Sequence, residues 1–230
     1  MNNKLAMPKW LLGIICAGFV LLIALVIVLI PRDNTNSQAD SSSGSPTIAG
    51  SDNAKGLSEG CAGAGASEDD TVRDSKPKDT EWITTNSGWT GPVSKSAGPL
   101  AESPLRHCFE HSAEGALYAS TWVIIQLNTT STANETMRQM VANPVSGDVR
   151  PEKESVLNVA GYKYLSYSPE RASIRLAFTT QNSGSDWYSM DVTMVWENGD
   201  WKLRLPDSSN PNSMNVIKAD KSSFIHWGTV

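Results

Sequence analysis

Ala172-Ser173-Ile174-Arg175-Leu176-Ala177-Phe178 and Tyr188-Ser189-Met190-Asp191-Val192-Thr193-Met194-Val195-Trp196 are two runs in which apolar side chains hold every second position. Successive side chains of a strand point to opposite faces, so each run predicts a strand with one buried and one polar face. Trp201, Leu203 and Leu205 continue the alternation after a break. The breaks are Ser168-Pro169-Glu170-Arg171, Asn182-Ser183-Gly184 and Asn198-Gly199-Asp200, all rich in turn-forming residues. The chain from Tyr162 to Leu205 therefore reads as an antiparallel meander joined by hairpins.

Upstream of Gly161 the period is helical. Ser112 suits an N-cap for a helix over Ala113 to Leu127, in which Ala116, Ala119, Trp122 or Val123, and Gln126 or Leu127 recur on one side. The small residues around Gly115 predict a close approach of this helix to the sheet. A second helix is expected from Ala133 to Ala142, with Met137, Met140 and Val141 on one side, stopping before Asn143-Pro144. A short third is expected over Glu152 to Val159. Helices first and a curved antiparallel sheet second is an α+β pattern.

Tryptophans mark the extent of the folded part: all but Trp10 lie at or after Trp82, which sets the domain at residues 81–230. Its beginning, Glu81 to Leu100, carries Gly91-Pro92 and Gly98-Pro99, predicting a short strand followed by an extended stretch laid over the core. Residues 31–80 are rich in Ser, Gly, Ala and Asp and poor in large apolar groups, so they predict a flexible linker. About fifty residues of such coil span roughly 40 Å.

Trp10 to Ile30 is continuously apolar and uncharged, and its roughly 21 residues at about 1.5 Å rise cover a bilayer's hydrocarbon core. It predicts a transmembrane anchor bounded by Trp10 and Ile30. Pro31-Arg32 follows directly, with no small-residue cleavage site, which favours an anchor over a cleaved signal. Cys16 follows Ile14 and Ile15 rather than the small residue a lipoprotein site needs, so it reads as an apolar side chain. Lys4 and Lys9 flank one side, whereas Arg32 is offset by Asp33; residues 1–9 are expected in the cytoplasm and the domain outside the cell membrane. In such an oxidising compartment Cys61 and Cys108 can pair, or both can remain free thiols. Asn128-Thr129-Thr130 and Asn134-Glu135-Thr136 match the glycosylation pattern, which carries meaning only in a eukaryotic secretory pathway.

Charge excludes one class of partner. Nineteen Lys and Arg are scattered among 24 Asp and Glu, for a net charge of −5 and a pI near 5.2. No basic stripe follows from that distribution, so direct nucleic-acid binding is not expected.

Two helices followed by a meander whose last hairpin reads Val195-Trp196-Glu197-Asn198-Gly199-Asp200-Trp201-Lys202-Leu203 resemble the cone-shaped NTF2-like fold. Joined to an N-terminal anchor and a linker, the pattern is similar to VirB8-like proteins of type IV secretion and to related conjugation proteins of Gram-positive bacteria. A closer resemblance is to uncharacterised single-pass proteins of actinobacterial mobile elements. It is carried by Trp82, Gly98-Pro99, the run Arg106-His107-Cys108-Phe109-Glu110-His111-Ser112-Ala113-Glu114-Gly115-Ala116-Leu117, and Phe224-Ile225-His226-Trp227-Gly228. The resemblance implies an architecture and a class of role. VirB8-like interaction residues have no position-by-position match here, so it implies no site.

Chemistry-bearing residues are few. His107, Cys108 and His111 lie close enough to share a metal if the segment is helical, against the plainer reading of a helix-entry turn with Cys108 oxidised. Asp191 and His226 merit inspection as a proton-transfer pair, although Asp191 falls on the polar face of its strand. No nucleophile elbow, phosphate loop or acidic metal cluster is present, so no catalytic, cofactor-binding or metal residue is assigned. The expected role is a scaffold or assembly subunit of a conjugative or secretion machine. Its expected partners are the lipid bilayer, other subunits of that machine and further copies of the chain as a homo-oligomer. A ligand-binding or sensory ectodomain is the first alternative, and an extracytoplasmic enzyme the second.

Overall fold

The computed structural model describes residue 61 and residues 71–151, 156–180, 185–210 and 213–228. The anchor expected between Trp10 and Ile30 lies outside them. Among the described residues, no helix is long and apolar enough to cross a membrane.

The expected meander forms. Strands β3 (Leu157–Ser168), β4 (Arg171–Thr180), β5 (Trp187–Glu197) and β6 (Asp200–Arg204) are antiparallel neighbours. Ile174, Leu176, Met190, Val192 and Met194 point inward from β4 and β5. Asn198 and Gly199 take φ of 55° and 79°, the pair of positive values that the β5–β6 hairpin turn requires. Register shifts at Val159/Gly161 and Tyr164/Ser166 interrupt the β3–β4 ladder, and such bulges bend a strand and strengthen its twist. Strand β7 (Val216–Ala219) continues along the same edge of β5 as β6, and β8 (Ile225–His226) adds to β3 at Gly161 and Tyr162. On the outer face Ala160, Ala177 and Trp187 form a satellite cluster packed against Ala219 and Phe224.

Helix α1 (Ala113–Leu127) begins at the expected cap, where Ser112 Oγ accepts from Gly115 N at 3.0 Å. Its burial exceeds a one-sided stripe: every residue except Glu114 is buried. The six-stranded sheet covers one side. The other is covered by a hairpin of β1 (Glu81–Thr84) and β2 (Thr90–Val93), where a single short strand was expected. Trp122 Nε1 donates to Pro92 O at 2.6 Å across that contact. Gly115 meets its neighbour elsewhere than expected: a Cβ there would stand 1.9 Å from Glu110 O, so the close approach is to the preceding turn rather than to the sheet.

Helix α2 spans Ala133–Gln139, shorter than the expected Ala133 to Ala142. Leu203 N donates to Met140 O and Ala142 N to Leu203 O, both at 2.8 Å, so residues 140–142 extend along β6 instead of continuing the helix. The third helix expected over Glu152 to Val159 is corrected by its described part, since Leu157 and Val159 pair with Thr180 and Phe178 in β3. Among the described residues the architecture is α+β, with two α-helices and a mostly antiparallel sheet.

Folded structure also extends N-terminal of residue 81. Tyr162 Oη donates to Ser75 O at 3.1 Å, Pro77 is buried, and Thr80 Oγ1 shares a 2.6 Å hydrogen bond with Tyr118 Oη while accepting from Trp227 Nε1 at 3.0 Å. Residues 71–80 form a strap across the start of α1, so the boundary expected at 81 falls inside the fold.

Candidate functional site

Cys61 and Cys108 are joined by a disulfide, with Cα atoms 5.1 Å apart. Cys108 sits at φ 63°, in the left-handed region. Asp200 holds the backbone there: Cys108 N donates to Oδ2 at 2.9 Å, Phe109 N to Oδ1 at 3.0 Å, and Trp201 N to Oδ1 at 2.9 Å. Burial pushes the Asp200 carboxyl above its ordinary value, against these three N–H groups, which favour the charged form. Within a sequence that reads only as a hairpin turn, nothing marks Asp200 as buried.

The histidines divide. His107 is buried beside the disulfide, its Nδ1 donating to Leu105 O at 2.7 Å. His111 leaves that corner: Nε2 donates to Pro169 O at 2.7 Å, and the ring stacks on Trp196 with centroids 3.9 Å apart. The shared metal site imagined for His107, Cys108 and His111 is therefore not assembled. Asp191 faces Arg175, whose Nη2 donates to Oδ2 at 2.8 Å on an exposed face. His226 rests against the Trp187 ring, 4.7 Å between centroids. Each member of the imagined proton-transfer pair thus has a different neighbour. Asn128 and Asn134 are engaged inside the fold, Asn128 Nδ2 donating to Ile124 O and Asn134 Oδ1 accepting from Val149 N.

A cleft of about 270 Å³ lies between the strap and the start of α1, lined by Arg73, Lys76, Glu110, Glu114, Tyr162 and Tyr164 among others. Glu114, half-buried, is the one residue of the helix that is not fully buried. Burial and the neighbouring Glu110 push its carboxyl up, Arg73 opposes them, and Asp79 adds to the rise. Glu110 Oε2 accepts from Ser112 Oγ at 2.7 Å. Tyr118, Tyr162 and Tyr164 are all pushed up chiefly by burial, and each hydroxyl is committed to Thr80, Ser75 O or Ala113 O. Tyr118 and Tyr162 hold the strap, and Tyr164 the first residue of α1, as neutral hydrogen-bonding groups. What remains for a ligand is a small polar recess walled by three carboxylates, Asp79, Glu110 and Glu114, and three cationic side chains, Arg73, Lys76 and Lys78. Sequence alone offers no signal for it, since its walls come from segments far apart in the chain.

One family model, described as a domain of unknown function (DUF8175), matches residues 41–221, and the chain belongs to that family. No curated protein and no solved structure matches it.

Proposed function

Membership of that family assigns no role, and we propose that the chain is a membrane-anchored scaffold or assembly subunit of a conjugative-transfer or type IV secretion-like machine. It acts through protein–protein contacts of an extracytoplasmic domain whose finer architecture is NTF2-like. The supporting observation is the filled concave side of the sheet. Ile174, Met194, Trp201 and Leu203 are fully buried in the core that α1 shares with the sheet, where a cone-shaped fold would carry its ligand or catalytic groups. A domain with a solid interior offers a partner its outside, here a polar strand face carrying the Arg175–Asp191 and Arg204–Glu197 pairs. An anchor and a linker hold such domains at high local concentration, so weak interfaces suffice to assemble several copies.

Whole-cell crosslinking with mass spectrometry, paired with deletion of residues 81–230 and a transfer assay, tests the reading. Loss of transfer and crosslinks to other membrane subunits are expected. If transfer and export survive the deletion and no membrane partner is recovered, the scaffold role is wrong. The strap cleft supports a second reading, a ligand-binding or sensory ectodomain. A cationic small molecule that raises the melting temperature of wild type, but not of Glu114→Gln, would favour it.

A further inference from the structure

Both Sγ atoms of Cys61 and Cys108 and a ring nitrogen of His107 lie within 4.8 Å of one another. The geometry points to a second state of this corner: once a dithiol reductant opens the disulfide, the two sulfurs and His107 form a three-donor site for a thiophilic divalent ion, Zn²⁺. The S–S bond takes up two electrons and two protons from the dithiol, which is itself oxidised to a disulfide. Zn²⁺ then displaces the two thiol protons and bonds both thiolates and the imidazole, with water completing a tetrahedron.

Two thiolates and one imidazole are a set that zinc takes readily. Bond lengths of about 2.3 Å to sulfur and about 2.0 Å to nitrogen put tetrahedral donors roughly 3.5 Å apart. The three groups already lie within 4.8 Å, so the freed sulfurs need only separate modestly. Nδ1 of His107, committed to Leu105 O at 2.7 Å, leaves the Nε2 lone pair for a metal. A backbone carbonyl on the far nitrogen is the usual outer contact that orients a metal-bound histidine.

Two of the donors, His107 and Cys108, are also held independently of the disulfide. His107 N donates to Ala101 O at 3.0 Å, Ala101 N to His107 O at 3.2 Å, and Leu100 N to Cys108 O at 3.0 Å. Asp200 clamps Cys108 N and Phe109 N in addition. Opening the bond therefore leaves two of the three donors in place. His107 and Cys108 are 5% and 2% exposed, which keeps the site dry, whereas Cys61 is only half-buried and gives a reductant its approach.

The full-length chain, purified in detergent and reduced anaerobically, is titrated with Co²⁺ as the spectroscopic stand-in and then with Zn²⁺, reading the thiolate-to-cobalt charge-transfer band. One ion per reduced chain is expected and none on the oxidised chain. Cys61→Ser is expected to weaken the band, and His107→Gln to bind at least about tenfold more weakly. A reduced wild-type chain without the band, or His107→Gln binding as tightly as wild type, overturns the site. Where reduction loosens the fold, recovery of the thermal transition on adding Zn²⁺ is read instead. It is expected in wild type and absent in His107→Gln, and its failure in wild type equally overturns the site.

Discussion

Asp200 is a buried carboxylate on which three backbone N–H groups converge from two segments 92 residues apart, with His107 also favouring its charged form. Asparagine preserves its shape but turns an amide NH₂ toward donors, leaving buried N–H groups without an acceptor. Asp200→Asn is therefore expected to lose about 2–4 kcal/mol in urea unfolding, and an unshifted midpoint would mean the clamp is not what holds Cys108. At Gly115 two effects oppose each other. Alanine gains about 1 kcal/mol of helix propensity, but its Cβ would stand 1.9 Å from a backbone oxygen that cannot swing aside. The clash wins, and Gly115→Ala is expected to destabilise by about 2 kcal/mol or more. A stabilised variant in thermal melts would contradict that ordering. Glu114 contributes to the pH dependence, alongside Asp200, whose carboxyl burial also pushes up. The Glu114 carboxyl holds a proton more tightly folded than unfolded, so its contribution is complete below the ordinary value of 4.5 and is lost as pH rises from there through the higher folded value. Glu114→Gln is neutral throughout and should flatten that descending limb of melting temperature against pH, and superimposable wild-type and variant curves would refute it.

The strap is the element that ties the N-terminal side of the fold to its C-terminal end, since Thr80 bridges Tyr118 on α1 and Trp227 after β8. A fragment of residues 81–230 lacks this bridge, the Ser75 carbonyl and the disulfide. It is expected to melt well below a fragment of residues 61–230 even after reduction, with Trp227 emission shifted to the red. Equal melting of the reduced fragments would mean that the strap only rests on the domain. Composition places these residues in a linker because few are large and apolar; they are held by hydrogen bonds to tyrosines and a tryptophan, which no periodicity reports. The meander, by contrast, is legible because alternation in β4 and β5 directly encodes a half-buried sheet. Around Val156 to Val159 a short apolar run suits helix and strand alike, and pairing with Phe178–Thr180 decides the outcome for Leu157 and Val159. The all-round burial of α1 is hidden for a related reason, because its second cover is the β1–β2 hairpin. Of the candidate metal corner, counting cysteines finds Cys61 and Cys108. Helical spacing then couples His107 to His111, but the segment before Ser112 is not helical, and His111 turns to Pro169 and Trp196.

At the scale of the molecule, the Cys61–Cys108 bond fastens the strap side to the turn before α1 across a sequence separation of 47. A loop of that size limits the unfolded chain enough to contribute about 4 kcal/mol in the chain-entropy model. The full-length Cys61→Ser/Cys108→Ser chain should melt correspondingly lower, and an unchanged transition would leave the bond without a stabilising role. Such a bond also ties the fold to its proposed compartment. Thiols persist as disulfides in oxidising surroundings and are kept reduced in most cytosols, so a chain relying on this bond is best served outside the membrane. That agrees with the side chosen by charge, because Lys4 and Lys9 favour a cytoplasmic N-terminus while Arg32 is balanced by Asp33. Two independent pieces of chemistry, flanking charge and thiol redox state, therefore make the same prediction for the intact chain. Reporter fusions at Ser45 and at Val230 should both read as external, and protease added to intact cell-wall-free cells should digest the domain while sparing the first residues. A domain protected until the membrane is breached would reverse the orientation, leaving the disulfide facing a reducing compartment in which it would not persist.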